Sequence, residues 1–381
     1  MRRVLVVVTV YYLIFGYGQI AAAWLVSPAW RPDTPDLLVL LVGPAAGWLV
    51  HQAWRTAWTR WLQRAVYLWV GLAFLLLCVV APIHVLRLLG LHEGGAAWLL
   101  AAVYVPLALW SIVNAHRLEV RRIEISSPKL DRPVRLVQVS DVHVGSRGSG
   151  FLPRIVRRVN ALRPDAVLVT GDLIDLKKLP ADALDSMGEL AAPAFFAIGN
   201  HERYIGSDAV CARLEALGVT VLRNACTGWR EMRIIGIDDA EARNHVGGVL
   251  TRMGAGTGEC ARTAFTILMY HRPDGAEDAA RAGVDLMLCG HTHNGQIVPF
   301  DRIVKRHFPR IAGRFDIDGM VLYVSAGTGT WGPTMRLGSS NEITVFELLP
   351  ALAGVSENRV EAPAHIASSD RLPTEFPKST P

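Results

Sequence analysis

Residues 284–296 read VDLMLCGHTHNGQ, a short apolar run followed by glycine, two histidines one residue apart and a polar amide. Apolar runs of this length that end at glycine are typical of buried strands. Imidazole is a frequent metal ligand, so a histidine pair directly after such a strand indicates a site for a metal ion, a phosphate group or both. The fold prediction starts from this strand end and depends on what the rest of the chain places beside it.

Residues 131–348 alternate Val- and Ile-rich runs with helix-like segments, which predicts an α/β domain. The predicted strands are 135–140, 166–170, 194–198, 219–222, 232–237, 264–270, 285–289, 321–325 and 342–347. The predicted helices are 152–162, 181–190 and 207–217. The later strands lack intervening helices, so a second, more antiparallel sheet is expected.

Polar side chains follow five of these strands, at the sheet edge where ligands bind in open α/β folds. In chain order they are Asp141 and His143, Asp172, Asn200 and His201, His271, and the opening pair His291 and His293. Each alone fits a turn, a helix cap or a surface histidine, but five such coincidences indicate a metal site. Carboxylates, imidazoles and one amide oxygen suit Mn, Fe or Zn, and this many ligands suit two ions better than one.

The motifs SDVHVG (140–145), GDLID (171–175), GNHE (199–202) and GHTHNGQ (290–296), with a histidine at 271, occur in this order in the chain. The arrangement resembles the calcineurin-like metallophosphoesterase superfamily. With YVSAGTGTWGP (323–333) and apolar N-terminal stretches, it is similar to the membrane-attached bacterial branch. The resemblance implies an α/β metallophosphoesterase domain, a two-sheet β-sandwich flanked by helices. The predicted architecture places this domain after N-terminal transmembrane helices.

The resemblance also implies a role for each candidate residue, in the hydrolysis of a phosphoester or pyrophosphate bond. One metal ion would be held by Asp141, His143, Asp172 and His293. The other would be held by Asp172, Asn200, His271 and His291. Asp172 would thus bridge the two ions. His201 would lie beside the substrate, stabilising the transition state or protonating the leaving oxygen, so that His201 and Asp172 are the expected catalytic residues.

Four apolar stretches in the first third of the chain, 4–26, 37–54, 65–86 and 96–115, approach the ~20 residues that a spanning helix needs. Eight arginines flank one set of span ends and two the other, which places the N-terminus and everything after the fourth span in the cytoplasm. We therefore predict a multi-pass protein of the cell inner membrane with a cytoplasmic catalytic domain. Three spans rather than four, and an N-terminal export signal, are the alternatives.

The charge distribution argues against a nucleic-acid partner. Residues 1–130 hold 11 Lys and Arg against 5 Asp and Glu, whereas the remaining residues hold 28 against 29. A nucleic-acid binder carries its basic excess on its folded soluble domain. The expected division is a membrane region at 1–115, a basic linker at 116–130, a phosphoesterase domain at 131–348 and a disordered tail at 349–381.

The expected partners are membrane lipids and a phosphoester substrate, possibly lipid-linked. The stretch DRIVKRHFPRIAGRF (301–315) mixes basic and apolar residues in a way that suits anionic headgroups. The superfamily also includes a hydrolase of a UDP-linked diacylated glucosamine. Two alternatives stay open: a membrane-tethered phosphodiesterase or phosphatase for soluble nucleotides, and a non-enzymatic, metal-dependent membrane scaffold.

Overall fold

Four apolar helices precede a two-sheet domain in the computed structural model, which describes residues 11–27, 29–30, 33–54, 57–148, 150–175, 180, 182–242, 244–254 and 264–351. The N-terminal helices are α1 (Gly18–Val26, after a π-helical turn at Leu13–Tyr17), α2 (Thr34–Trp54), α3 (Ala57–Leu88) and α4 (Glu93–Asn114).

Two of these apolar stretches, Arg60–Leu88 and Glu93–Asn114, are long and apolar enough to cross a membrane. The stretches Leu13–Val26 and Thr34–Gly47 are apolar but shorter. Residues 4–10, where the first predicted span begins, lie outside the described residues. Two of the four predicted spans thus coincide with helices of sufficient length and hydropathy, and the number of spans stays a prediction.

Two mixed six-stranded sheets follow. The first has the order β1 (Leu118–Ser127), β12 (Asn341–Pro350), β2 (Val134–Val139), β3 (Ala166–Val169), β4 (Ala194–Phe196) and β5 (Thr220–Val221). The second has the order β10 (Gly313–Ile317), β11 (Met320–Val324), β9 (Leu286–Cys289), β8 (Phe265–Tyr270), β7 (Met232–Ile237) and β6 (Ala225–Trp229). The remaining helices are α5 (Phe151–Ala161), α6 (Asn200–Ile205), α7 (Ser207–Ala216), α8 (His245–Arg252), α9 (Ala276–Arg281) and α10 (Asp301–His307). The ladders β2–β3–β4–β5 and β7–β8–β9–β11 are parallel.

The core strands are apolar on both faces because each sheet is covered on both sides. In β3, Val167 and Val169 pack towards α5 on the outside, whereas Ala166 and Leu168 pack between the two sheets. Alternating strand geometry sends successive side chains to opposite faces, so a strand covered on both sides reads as a continuous apolar run. Helices α8 and α9 cover the outer face of the second sheet. The predicted sandwich of two sheets with flanking helices is confirmed.

The segment 116–130, predicted as a basic linker, instead contains strand β1. This strand pairs in parallel with β12 along its whole length, at the edge of the first sheet. Its sequence LEVRRIEISS places charged residues among the apolar ones, because the outward positions of an edge strand face water. Because of those charges, the segment contains no apolar run from which a strand could be predicted. The sheet begins at Leu118 rather than near Asp131.

The structure differs from the sequence prediction at three further places. The predicted helix 181–190 is a short 3₁₀ turn at Asp185–Glu189, with residue 181 outside the described residues. Strands β6 and β10 were not predicted, because both alternate in exposure and carry glycine. The predicted tail starts inside β12, which continues to Pro350, and residues 352–381 lie outside the described residues.

The helical region packs directly against the sandwich along a contact that we call the seam. The Asn114 side-chain amide at the end of α4 donates to the backbone oxygens of Arg336 (3.2 Å) and Ser339 (2.8 Å). The backbone N–H of Arg336 donates in return to the Ser111 carbonyl, at 2.8 Å. Further along, a Cβ on Gly71 of α3 would lie 2.6 Å from the sulfur of Met335, so glycine permits this close approach. The loop at 329–339 is thereby held by the helices.

Candidate metal centre

Glycine precedes three of the candidate ligands because other polar groups approach its backbone closely. A Cβ on Gly290 would lie 2.1 Å from both an Asp141 oxygen and the Ser140 hydroxyl. A Cβ on Gly199 would lie 2.2 Å from an oxygen of Asp172. Any side chain at these two positions would push the carboxylates aside. Gly290 does not have positive φ, so close approach, and not only turn geometry, explains the glycine in the GHTH motif.

Asp141, His143 and His293 form the first group of candidate ligands, with one donor atom from each lying within 4.8 Å of the others. The Nε2 atoms of His143 and His293 are 3.0 Å apart. Asp141 Oδ1 lies 3.4 Å from His293 Nε2 and 3.9 Å from His143 Nε2. All three side chains are buried, on the loops after β2 and β9.

Asp172, His271 and His291 form the second group by the same measure. Asp172 Oδ2 lies 3.1 Å from His271 Nε2, and that nitrogen lies 3.2 Å from His291 Nδ1. The two groups adjoin, because Asp141 Oδ1 is also 3.9 Å from His271 Nε2. His271 Nδ1 lies 2.8 Å from the Thr170 carbonyl, which leaves Nε2 as the ligand atom.

Several candidate ligands have strained backbone conformations. The positive φ angles are 54° at Asp141, 55° at His143, 51° at Asp172, 72° at His291 and 51° at His293. Such left-handed conformations are uncommon for residues other than glycine, although Asp and His adopt them more readily than most. Each costs on the order of 1–3 kcal/mol and persists where the surrounding structure enforces it, commonly at functional sites.

Asn200 carries a buried oxygen, Oδ1, that has no hydrogen-bond partner among the described residues. The residue begins α6, directly after the glycine that contacts Asp172. A buried amide oxygen left without a partner costs roughly 1–3 kcal/mol, so an acceptor in this position needs a ligand. A divalent cation at the adjoining carboxylate and imidazole groups would supply one.

Burial and neighbouring charges shift the pKa values of the four candidate histidine ligands in opposite directions. Burial lowers the pKa of His143 and of His271, but the carboxylates of Asp175 and Asp172 outweigh it and raise these pKa values to about 9 and about 10. Burial, followed by repulsion from their charged partners, lowers the pKa of His291 and His293. Without metal, each close nitrogen pair therefore combines one protonated and one neutral ring.

The residues present fit divalent metal ions. The paired imidazole nitrogens, 3.0 Å and 3.2 Å apart, are close enough for each pair to share one ion at the ~2.0–2.1 Å typical of metal–nitrogen bonds. The donors are carboxylate oxygens, imidazole nitrogens and one amide oxygen, a set that suits first-row transition metals. The identity of the ions and the bridging role of Asp172 stay predictions.

His201 stands beside the two groups but is oriented differently. Its Nδ1 is 2.8 Å from Asp175 Oδ1, and its Nε2 is 3.9 Å from Asp172 Oδ2. Asp175 also contacts His143 Nδ1 and accepts a hydrogen bond from the Ser146 hydroxyl. The His201 ring is more exposed than the His143 ring that shares Asp175 with it, so His201 Nε2 is the atom available to a substrate.

Three residues that position these groups were not singled out from the sequence. Asp175, the last residue of the GDLID motif, holds the rings of His143 and His201. Glu202 is fully buried and accepts from the backbone N–H groups of Asp172 (2.9 Å) and Gly199 (2.8 Å). Both lie inside motifs that had been recognised, so their positions in those motifs were the available signal.

Arg336 is the third of these positioning residues, and it lies outside every motif from which the candidate ligands were predicted. It is fully buried, donates to the backbone oxygen of His293 at 2.8 Å and lies 3.4 Å from that ring's Nδ1. Its other donors reach Asn341 Oδ1 at 2.9 Å and the Gly329 carbonyl at 2.6 Å. The same residue is held by α4 through its backbone, so it connects the seam to a candidate ligand.

Two polar residues near these motifs bond away from the candidate ligands. Gln296, the last residue of the GHTHNGQ motif, is buried and donates to the Trp331 and Pro333 carbonyls, both at 3.0 Å. Asp238, directly after β7, pairs with Arg223.

The comparisons with known proteins agree with this centre. The family model of the calcineurin-like phosphoesterases matches residues 134–295. A metallophosphoesterase of Campylobacter jejuni is 31% identical over 260 residues, a match that covers 65% of this chain and 68% of the relative. The chain belongs to the calcineurin-like metallophosphoesterases. It is therefore a phosphoester hydrolase, and the prediction of an enzyme is confirmed.

Two other relatives, one bacterial and one from a vertebrate, are similar to this chain over a comparable share of its length. A metallophosphoesterase of Helicobacter pylori is 32% identical over 244 residues, covering 61% of this chain and 65% of the relative. A zebrafish (Danio rerio) protein named transmembrane protein with metallophosphoesterase domain is 34% identical over 267 residues, covering 64% of this chain and 61% of the relative. The chain thus spans about two thirds of the length of these relatives.

Proposed function

We propose that this protein hydrolyses a phosphodiester or pyrophosphate bond in an amphiphilic, membrane-associated substrate, with two divalent metal ions held by the two ligand groups. The observation that carries the proposal is the placement of exposed apolar side chains. Within the described part of the sandwich, every exposed large apolar side chain belongs to one set, which we call the apolar rim: Tyr204, Val298, Phe300, Ile303 and Trp331.

Two members of the apolar rim, Tyr204 and Trp331, lie beside the candidate centre. The ring centroids of Tyr204 and Trp331 are 6.1 Å and 6.2 Å from that of His201. Val298 and Phe300 follow directly after the GHTHNGQ motif. Monomeric soluble proteins rarely expose a concentrated apolar patch without a binding role. A purely ionic substrate would gain nothing from such a rim, whereas an acyl or isoprenoid chain would.

The apolar rim also continues into the helical region. Phe300 packs edge-on against Phe74 of α3, with 6.3 Å between ring centroids. Ile303 lies in α10, a helix with no buried residue and with Arg302 and Arg306 exposed. Of the other basic residues in this stretch, Arg310 and Arg314 pair with Glu277 and Asp316 and are not free to meet headgroups. An exposed basic and apolar helix beside an apolar span suits a membrane surface.

The chain's own residues supply orientation and a proton in the proposed reaction. Asp175 holds Nδ1 of His201, so that Nε2 can hold a proton towards the leaving-group oxygen. The adjoining carboxylates and imidazoles would hold the metal ions, with Asn200 contributing its unpartnered oxygen. When bound, such ions lower the pKa of a water molecule and orient the phosphoryl oxygens.

Membrane placement is part of the same proposal. The two candidate spans and the arginine distribution support a multi-pass protein of the inner membrane with its sandwich in the cytoplasm. The zebrafish relative is named as a transmembrane protein, which is consistent with this placement.

The test compares one ester in long-chain and short-chain forms. Detergent-purified full-length protein with Mn²⁺ is assayed on phospholipid, nucleotide and sugar-nucleotide esters. The Phe300→Ser/Ile303→Ser variant is expected to lose activity on long-chain esters and to keep it on short-chain ones. Preference for nucleotides, or equal losses on both forms, would instead favour the tethered phosphodiesterase for soluble nucleotides.

A further inference from the structure

A second cleft, of about 590 Å³, opens between the start of α3 and the start of α5, outside the candidate metal centre. Helix α3 contributes Trp61, Arg64 and Leu68 to its lining, and the sandwich contributes Arg147, Phe151 and Arg154. The cleft therefore combines three cations with an apolar wall, at the place where the more apolar of the two candidate spans meets the sandwich.

The three arginines contact only neutral groups among the described residues. Arg64 donates to the backbone oxygen of Arg147 at 3.0 Å, and Arg154 donates to that of His116 at 3.0 Å. Arg147 donates to the Ala115 carbonyl at 2.9 Å and to the Thr330 hydroxyl at 3.3 Å. Clustered cations without a carboxylate repel one another, so the cluster favours an anion in the cleft.

Two further features call for an anion. The Nε of Arg64 is buried and has no hydrogen-bond partner in the described part of the chain. Gly150 and Phe151, at the N-terminus of α5, also line the cleft, and the first turn of this 11-residue helix contains no acidic residue. The positive end of a helix dipole thus adds to the arginines. Burial, and then the charges of Arg154 and Arg64, lower the pKa of Arg147 to about 10, which still leaves it charged at neutral pH.

The apolar wall indicates what carries the anion. Trp61, Arg64 and Leu68 are spaced three and four residues apart, so they share one face of α3. Trp61 is 69% exposed, next to Arg60 and Arg64, a combination typical of the membrane interface. A free phosphate would use the arginines alone. An amphiphile would use both the arginines and the wall.

We propose that this cleft binds an anionic phospholipid, with its phosphate at Arg64, Arg147 and Arg154 and an acyl chain along Trp61 and Leu68. The proposal rests on the proposed membrane association but not on the proposed substrate. The cleft also touches the catalytic side of the molecule. Ser146 lines it and donates to Asp175, which holds His201.

The experiment measures lipid retention by the full-length protein in native mass spectrometry. The protein is exchanged into detergent with equal amounts of phosphatidylglycerol and phosphatidylcholine. Wild type is expected to retain phosphatidylglycerol preferentially. In the Arg64→Gln/Arg154→Gln variant, the preference for phosphatidylglycerol is expected to fall by about 25-fold, since each cation near an anionic headgroup contributes roughly fivefold. Arg158→Gln, an exposed arginine on the same helix α5 outside the cleft, is the matched control and is expected to behave as wild type.

Competition identifies the source of the phosphate. Short-chain phosphatidylglycerol is expected to displace the retained lipid, whereas glycerol 3-phosphate and inorganic phosphate at the same concentration are not. Equal displacement by inorganic phosphate would replace the proposal with a free-anion site. Equal retention of both lipids by wild type, or equal losses in the Arg158 control, would overturn it. Melting temperatures of the variants exclude unfolding as the cause. Retention is read without turnover, so a failed hydrolysis assay leaves this result intact.

Discussion

The helical region and the sandwich expose apolar surface in opposite ways. The described sandwich exposes large apolar side chains only on the apolar rim, whereas the helices expose many, including Leu88 at 79% and Trp98 at 78%. Buried polar residues show the opposite distribution, with many in the sandwich and few in the N-terminal helices. The sandwich buries Asp141, His271 and Glu202 completely, but the buried polar residues of the N-terminal helices α1–α4, as far as these are described, are Gln63, Ser111 and Asn114.

The exposed apolar side chains of the helices suit an apolar environment, the charged surface of the sandwich suits water, and the two regions meet at the seam. A helix satisfies its backbone internally and tolerates an apolar surrounding, whereas a sheet edge with charged side chains requires water. Two of the three buried polar residues of the helices, Ser111 and Asn114, bond to the loop that carries Arg336. Through Arg336, the seam thus reaches His293, one of the candidate ligands.

The largest expected effect comes from the buried carboxylates of the sandwich. Asp172→Asn keeps the shape of the side chain and removes its charge from beside His271. We expect kcat/KM to fall by a factor on the order of 10²–10³ or more, as for the loss of a charge-stabilising group in an active site. Asp238→Asn, also a carboxylate after a strand but paired with Arg223, is the control and should stay within about threefold of wild type. Comparable losses in both variants would contradict the assignment.

Metal binding is expected to depend steeply on pH. His143 and His271, with pKa values raised to about 9 and about 10, are protonated in the metal-free protein at pH 7 and must lose a proton to bind metal. Apparent affinity for Mn²⁺ should therefore rise between pH 7 and pH 9, by up to about tenfold per pH unit for each displaced proton. Calorimetry in buffers of different ionisation enthalpy should detect proton release. Proton uptake, or a flat pH profile, would be inconsistent with the nitrogen pairs as ligands.

Arg336 tests whether the two regions are coupled. Arg336→Lys keeps a charge but cannot reach His293, Gly329 and Asn341 together. We expect metal affinity to fall by about 10- to 100-fold, as for other residues that orient metal ligands. A melting temperature lowered without any change in metal affinity would reduce Arg336 to a structural role.

Much of the centre could be predicted because its ligands follow strands in short local motifs. Asp141, His143, Asp172, His271, His291 and His293 were predicted from those motifs, and the structure brings these six into two adjoining groups. Arg336 could not be predicted in this way, since it lies far along the chain from His293. It contacts His293 only because the loop at 329–339 packs between that residue and α4. Strand β1 was not predicted for a different reason. It is held by backbone hydrogen bonds to β12, which leave no pattern in the sequence, and its charged residues resemble those of a linker. Local patterns predict local geometry, and the seam consists of contacts between distant segments.

The smallest expected effect concerns the seam itself. Asn114→Ala removes two hydrogen bonds to the loop at 336–339 and leaves buried carbonyls without donors. We expect the free energy of unfolding to fall by about 1–2 kcal/mol, with metal affinity reduced less than in the Arg336 variant. Asn160→Ala is the control, because this half-buried side chain also makes two hydrogen bonds, to Glu189 and Ala191, but lies away from the seam. Unchanged stability in the Asn114 variant would mean that helices and sandwich are independent.

The central claim is that a phosphoesterase centre acts on amphiphiles beside an apolar rim, and one chain-length comparison tests it most directly. Detergent-purified full-length protein with Mn²⁺ is given the best ester of the panel in long-chain and short-chain forms, in the same micelles. The account predicts a kcat/KM at least about tenfold higher for the long-chain form, a difference of about 1.4 kcal/mol in transition-state binding. It also predicts that Phe300→Ser/Ile303→Ser abolishes that preference. Equal turnover of both forms by wild type would contradict the account.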